Sequence, residues 1–454
     1  MTATAPPRAS GIGKTPPGTS VSEAPKLLRQ LVFDRLGMMT DAARRGDAVR
    51  LVIGPRTMYF FNHPDHAKHV LADNPGNYHK GVGLRQARRA LGDGLLTSEG
   101  ALWREQRSVV RPAFQSRRIN AQADVVAQEA AHLVERLRAQ TGRGPVDVVH
   151  EMTGLTLGVL GRTLLDADLG AHSSLAGAFE AVQDQAMFEM VTQGVVPLWS
   201  PLPKQVRFRR ARRELDRVVG LLAAERTVEG GDDALSRLLV SVRKESDRKL
   251  AARRLRDELV TLLLAGHETT ASTLGWSFYL LDRHPEVQRR LRAEVREVLG
   301  DRTPTFEDLH RMPYTHAVLQ EVMRLYPPVW LLSRISQEDD VVGGYHVPAG
   351  RDVLVSPYAM HRNQEFWGPD AESFDPSRFE GSGAAQRPKY AYLPFGAGPR
   401  FCVGNQLGMM EAAFVLAMVL RDLRLTKVPE HRVVAEPMLS LRVRGGLPMT
   451  VHAA

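Results

Sequence analysis

Along most of the chain apolar residues recur three and four apart, and in only two places do they alternate. "EAPKLLRQLVFDRLGMMTDAARR", "AHLVERLRAQ", "PEVQRRLRAEVREVLG" and "LGMMEAAFVLAMVLRDL" carry the helical period, which gathers their apolar side chains on one face. Pro285 opens the third of these, in the first turn, where a missing N–H costs nothing. Strand signals are confined to "AVRLVIGPRTMYFFN", a predicted hairpin around Gly54-Pro55, and "LSLRVRGGLPMTV", another around Gly445-Gly446. Breaks at "TGRGPVD", "VEGGDD" and "EGSGAAQRPK" are turn-rich, but none reads as an interdomain linker, and there is no internal repeat. The pattern predicts a mainly α protein with a minor β region: a disordered leader over 1–20, then a single domain over 21–454.

Composition narrows the classes. A chain of 454 residues with 43% hydrophobic content has ample material for a large core. One cysteine excludes a disulfide framework and any multi-cysteine zinc or iron–sulfur site. It also fits a reducing compartment, so a cytoplasmic location is expected. The leader lacks an apolar h-region, mean hydropathy is −0.24, and no run approaches the roughly 20 apolar residues of a membrane span. "GIGKT" in the leader imitates a phosphate loop, but Arg8 stands where the motif needs glycine and no strand precedes it. A net charge of +9 raises nucleic acid as a partner. The arginines do not interleave with aromatics, however, and the densest run, "RFRRARRELDR", reads as the solvated face of a helix.

The lone cysteine, Cys402, stands in "FGAGPRFCVG", just before a strongly helical run. Its sulfur can therefore receive the free N–H groups of that helix start, which favour a thiolate. Gly398 permits a tight turn, Gly404 lets a flat group approach the helix start, and Arg400 can pair with a carboxylate. A zinc site would need further cysteines or histidines nearby, and a nucleophilic thiol would need a base. A single thiolate on an open, glycine-lined shelf suits the axial position of a haem iron.

Phe395, Gly398, Arg400, Cys402 and Gly404 fill every fixed position of FxxGxRxCxG, and on them the chain resembles the cytochrome P450 family. The resemblance implies the P450 fold, with haem b (Fe-protoporphyrin IX) between an oxygen-activation helix and the helix after the cysteine loop, and Cys402 as the iron ligand. "EVMR" sets Glu321 and Arg324 on one helix face. "FDPSRF" offers Arg378 as the arginine with which the family closes a buried triad that locks the cysteine loop. Trp103 and Arg107 in "WREQR" resemble the pair that holds a haem propionate. Arg334 in "YPPVWLLSR" matches a further propionate arginine, and His361 in "MHRNQ" is a looser candidate.

"LLLAGHETTAST" matches the family's oxygen-activation helix at Ala265, Gly266, Glu268, Thr269 and Thr270. On this reading Gly266 leaves room above the iron. Thr269 bonds back to the carbonyl of Ala265, opening a bulge for dioxygen and water, and Glu268 feeds protons. His267 lies on another face and receives no role. The implied reaction is that of a haem-thiolate monooxygenase: one atom of O2 enters a C–H bond and the other leaves as water, thiolate ligation favouring O–O cleavage. The acid–alcohol pair argues against a peroxide-driven enzyme and a non-enzymatic haem-thiolate sensor, whereas oxidative coupling or desaturation would use the same residues. No flavin or iron–sulfur signature occurs, so electrons are expected from NAD(P)H through a ferredoxin and a ferredoxin reductase. Taken by chain order, the pocket candidates are Met187, Phe188, Leu263, Val329, Trp330 and Leu439, with Met190, Val191, Trp199 and Leu331 in the same regions. Their apolar character favours a hydrophobic secondary metabolite such as a terpenoid, in antibiotic-type biosynthesis. A fatty acid, the alternative, would need Arg85, Arg88 or Arg89 for its carboxylate.

Overall fold

In the computed structural model, which describes residues 13–54, 56–169, 174–192, 194–224, 226, 231, 233–381 and 383–454, the first predicted hairpin forms. Strand β1 (Ala48–Ile53) runs antiparallel to β2 (Arg56–Phe61), with Ile53 opposite Arg56. Gly54 has φ +57°, a turn conformation glycine adopts without strain, and residue 55 lies outside the described residues. The sheet is completed by β3 (Tyr78–Lys80), β4 (Leu332–Ser336) and β5 (Asp352–Val355), in the order β1-β2-β5-β4-β3. Phe60 and Phe61 point to opposite faces, as successive strand residues must, and both are fully buried. This sheet belongs to one compact unit, built from the chain up to Val82, Leu331–Ala371 and Pro388–Phe401.

The same unit corrects the expected leader. Residues 13–20 are ordered against β1: the Arg50 N–H donates to the Pro17 carbonyl at 2.8 Å and the Thr19 N–H to the Arg50 carbonyl at 2.9 Å. The Thr19 hydroxyl accepts from Val52 N–H at 3.0 Å. An edge strand leaves alternate backbone groups without a ladder partner, and this segment supplies partners. Residues 1–12 lie outside the described residues. The remainder of "GIGKT" runs extended here, with Lys14 N–H on the Gly344 carbonyl at 3.0 Å, and forms no phosphate loop.

The second unit comprises Gly83–Trp330, Glu372–Arg387 and Cys402–Ala454. The first unit is discontinuous in sequence, because β3 and β4 are sheet neighbours separated by a long helical block. Six helices of the second unit carry the site: α1 (Gly100–Val110), α2 (Val148–Leu160), α3 (Ser174–Thr192), α4 (Arg248–Arg283), α5 (Pro313–Leu325) and α6 (Asn405–Asp422). Helix α4 has 36 residues, so it is about 54 Å long. Asp247 caps it, accepting from Lys249 N–H at 2.8 Å and from Leu250 N–H. Helices α2, α5 and α6 pack against α4, and their leucines and valines form the main core. The arginine-rich run lies on the helix Pro203–Ala224, where Arg207 pairs with Asp184 at 2.8 Å and with Glu180 at 2.7 Å, a solvated face as expected.

The second predicted hairpin does not form. Leu441–Val443 pairs backward with Ala435–Pro437, while Pro448–Ala453 lies between Pro145–Asp147 and Leu423–Lys427. The two glycines redirect the chain instead of reversing it. Gly446 has φ +85°, and a Cβ there would meet Asp147 Oδ2 at 2.2 Å. Among the described residues no helix is long and apolar enough to cross a membrane.

Candidate active site

Cys402 stands two residues before Gly404, the N-cap of α6. Burial pushes its thiol up, while the Gly404 N–H donated to the sulfur and the charge of Arg107 pull it down. The residue nonetheless keeps solvent-exposed surface. Arg107 lies one helical turn after Trp103 on α1, its guanidinium 5.9 Å from the indole centroid. Desolvation holds Arg107 below its ordinary value, and Cys402 opposes that shift. Gly404 leaves the start of α6 open, since an added Cβ would meet only Phe114, at 3.4 Å.

Helix α4 passes α6 at Thr270, whose hydroxyl would lie 3.5 Å from a Cβ on Gly408. Ala265 is exposed in the middle of an otherwise buried stretch of α4, so this face too borders open space. Thr269 Oγ1 donates to the Ala265 carbonyl at 2.8 Å, as expected. The bulge expected from that bond is absent: α4 is an unbroken α-helix, the hydroxyl adding to the backbone ladder without replacing any of it. Gly266 also corrects the sequence reading. A Cβ there would sit 2.7 Å from Leu160 Cδ2 on α2, so the glycine permits close packing of two helices and does not clear space for a ligand. Thr270 bonds back to the Gly266 carbonyl at 3.4 Å.

Glu268 and Thr269, consecutive on α4, lie about 100° apart around the helix axis. Glu268 Oε1 accepts from Ser440 Oγ at 2.8 Å. Burial pushes the carboxyl up to about 7, against the Ser440 bond, the charge of Arg442 and a bond from Gln183. A group at that value both holds and releases a proton near neutrality. His267 is fully enclosed, with Nδ1 2.6 Å from the Leu263 carbonyl and its ring 4.9 Å from that of Phe179. Burial lowers it to about 4, so it is neutral, in keeping with its having no assigned role. Ser440, Gln183 and Arg442 escaped the sequence reading. The one available signal was a serine between two leucines in "MLSLRV".

Glu321 and Arg324 on α5 are both fully buried and joined by two bonds, Nε to Oε2 at 2.6 Å and Nη2 to Oε1 at 2.7 Å. Asp375 N–H donates to Glu321 at 2.9 Å, Arg324 donates to the Ser373 carbonyl at 2.9 Å, and Arg378 Nε is 3.6 Å from Glu321. All three members of the expected triad therefore meet.

In the first unit, Arg334 lies on β4 opposite Val353, nearly buried, its Nη1 on the Ser333 carbonyl at 2.9 Å. His361 is fully buried and its Nε2 accepts from Leu393 N–H at 2.8 Å. With Nε2 accepting, Nδ1 is the ring nitrogen left to donate. Gly398 has φ +65°, and a Cβ there would lie 1.9 Å from the Leu71 carbonyl oxygen, so no other residue fits. Phe395 packs edge-on against Phe401 at 6.3 Å, and Arg400 closes the short turn Gly398–Arg400.

Of the pocket candidates, Met187, Leu263 and Trp330 are buried, and the Trp330 indole donates to the Met438 carbonyl at 2.9 Å. Phe188, Val329 and Leu439 are partly buried. Val191 and Trp199 are 40% and 77% exposed: α3 ends at Thr192 and the following segment runs on the surface, so these two leave the pocket set. Arg88 is paired with Asp93, and Arg89 with Glu189 at 2.8 Å, which commits two of the three arginines proposed to anchor a fatty acid.

The donor set fits a haem: one thiol receiving a backbone N–H, a desolvated arginine beside it, and open space at both the start of α6 and the Ala265 face of α4. A cytochrome P450 family model matches residues 27–445. The chain is 36% identical over 427 residues to a cyclooctat-9-en-7-ol 5-monooxygenase of Streptomyces melanosporofaciens, covering 91% of this chain and 90% of that protein. It is 31% identical over 409 residues to pentalenene oxygenase of Streptomyces avermitilis, covering 89% and 90%. With the chloroplastic carotene epsilon-monooxygenase of Arabidopsis thaliana it shares 32% over 434 residues, covering 89% and 79%.

Proposed function

The chain belongs to the cytochrome P450 family, the haem-thiolate monooxygenases, and on that premise we propose that it oxygenates a C–H bond of a compact, hydrophobic terpenoid of secondary metabolism. The observation that carries the substrate class is the apolar set Met187, Phe188, Leu263, Val329, Trp330 and Leu439, largely withdrawn from solvent. An apolar cavity binds through buried area, and one or two polar groups fix the orientation. Relatives named for cyclooctat-9-en-7-ol and pentalenene support the same class.

Haem b, when bound, supplies the activation of O2 and the transfer of its oxygen atom to carbon. The polypeptide does the rest. Cys402 ligates the iron, with its thiolate steadied by the Gly404 N–H and by Arg107. Trp103 and Arg107 hold one propionate, and Arg334 is a further propionate anchor. Phe395, Gly398, Arg400 and Gly404 shape the loop that presents the sulfur, and Glu321, Arg324 and Arg378 keep it in place. Thr269 and Glu268 hold and move protons, Ala265 and Thr269 lining the open face of α4.

Electrons come from a separate redox partner. We assign that role to an acidic ferredoxin with its reductase, drawing on NAD(P)H in the cytoplasm. Support comes from Arg104, Arg111 and Arg117, exposed on and just beyond the helix that brings Arg107 to Cys402. Opposite charge on such a face accelerates encounter and loses its effect as salt rises. A fatty acid is disfavoured by the ion pairs that occupy Arg88 and Arg89.

The test is a panel of terpene hydrocarbons and alcohols, polyketides and fatty acids, read by the haem Soret band and then by product mass. Terpenoids should displace the sixth ligand and gain one oxygen. A shift given only by fatty acids or polar ligands would overturn the reading, as would a dehydrogenated or coupled product for the reaction type.

A further inference from the structure

We propose that Ser440 is the positioning residue for proton delivery: its bond fixes the Glu268 carboxyl against the C-terminal turn and sets how tightly that carboxyl holds its proton. The inference rests on the proposed role of Glu268 as proton donor and adds to it the residues that govern the donor.

Glu268, Ser272 and Trp276 recur every four residues, one stripe along α4. All three engage a single turn of the C-terminal strands. Ser440 Oγ donates to Glu268 Oε1 at 2.8 Å, while Ser272 Oγ and Trp276 Nε1 both donate to the Leu441 carbonyl, at 2.5 and 2.9 Å. The turn is held from its other side as well: Leu441 N–H donates to the Pro328 carbonyl at 2.9 Å and the Trp330 indole to Met438. Its place therefore does not depend on Ser440. Ser440 is 2% exposed, and its hydroxyl is bonded to the acid.

Helix α3 contributes Gln183, itself buried, whose side chain also favours the charged form of Glu268. The Gln183 Oε1 has no hydrogen-bond partner. Arg442, two residues beyond Ser440, adds a positive charge, and it is bonded to Glu436 at 2.8 Å and feels Asp184. These groups bear on Glu268 from α3, the turn and the strand Leu441–Val443, and each favours the carboxylate against burial. Meanwhile Thr269 gives its own hydroxyl hydrogen to Ala265. The acid and the alcohol are thus bonded to different partners, Glu268 to Ser440 and Thr269 to Ala265.

The hydroxyl has a measurable consequence. Losing a bond to the charged form should raise the midpoint of Glu268 by about one unit, a tenfold change in proton affinity. The carboxyl C=O infrared band of the holoenzyme, identified by its loss in Glu268→Gln, should titrate near neutrality in the wild type. It should move up in Ser440→Ala and return in Ser440→Thr. The pH midpoint of peroxide released per NADPH, with a plant-type ferredoxin and reductase as electron source, should move in parallel. An unmoved infrared midpoint in Ser440→Ala overturns the inference, as does a shift that Ser440→Thr fails to reverse. If Glu268→Gln itself leaves peroxide release unchanged at every pH, the proton-donor reading is what fails. If Glu268→Gln alters it and Ser440→Ala does not, only the role of Ser440 fails.

Discussion

Replacing Arg324 by methionine tests the triad where it is most exposed to failure. The guanidinium makes two bonds to Glu321 and one to the Ser373 carbonyl, and both side chains are 0% exposed. Methionine fills much of the volume but leaves Glu321 buried, with only Asp375 N–H and the more distant Arg378 as partners. Breaking one side of a buried ion pair costs about 3–5 kcal/mol, because the remaining charge is uncompensated. At roughly 2.1 cal/mol/K per residue, unfolding 454 residues releases about 1 kcal/mol/K, so Tm should fall by about 3–5 °C. The loss also has a pH signature. Burial already raises Glu321 above its ordinary value, and removing Arg324 raises it further. A carboxyl whose folded-state pKa exceeds its unfolded value contributes least once pH passes the folded value. The deficit of Arg324→Met should therefore be small in acid, where Glu321 is protonated in both states, and grow as pH rises. Thermal unfolding followed by far-UV circular dichroism at several pH values checks this, with haem retention measured alongside. A variant that melts with the wild type at alkaline pH, or whose deficit shrinks as pH rises, would refute the reasoning.

Gly266→Ala should destabilise by about 1 kcal/mol, overpacking of Leu160 by about 1–3 kcal/mol being partly offset by the better helix propensity of alanine. It should leave carbon monoxide binding to the reduced haem unchanged, because the new methyl faces α2, and Leu160→Ala should relieve it; blocked carbon monoxide binding would return the glycine to the ligand side. Thr269→Ala should keep ligand-induced Soret shifts but release more peroxide per electron pair, and unchanged coupling would remove Thr269 from proton delivery.

What could be read in the sequence was chemistry held within one short segment. Cys402 before a helix start, Glu321 and Arg324 one turn apart, and Thr269 four residues after Ala265 are fixed by local geometry, and each is found as read. Gly266 shows the limit: a glycine within a helix serves either a neighbouring helix or a ligand, and spacing alone does not say which face it occupies. Ser440 lies 172 residues from Glu268, so only the folded chain pairs them. The ordering of residues 13–20 was hidden for the same reason, since their partners are backbone groups of β1, which any sequence carries. The hairpin at Gly445-Gly446 failed because alternation predicts strands without predicting which strand each will join.

The central claim is that Cys402 ligates a haem iron as a thiolate, and the absorption spectrum of the reduced, carbon monoxide-bound protein tests it most directly. The wild type should show the red-shifted Soret band that marks a thiolate opposite carbon monoxide. Cys402→Ser should lose that band even where it retains haem. Retention of the band in Cys402→Ser, or its absence from haem-loaded wild type, would contradict the account.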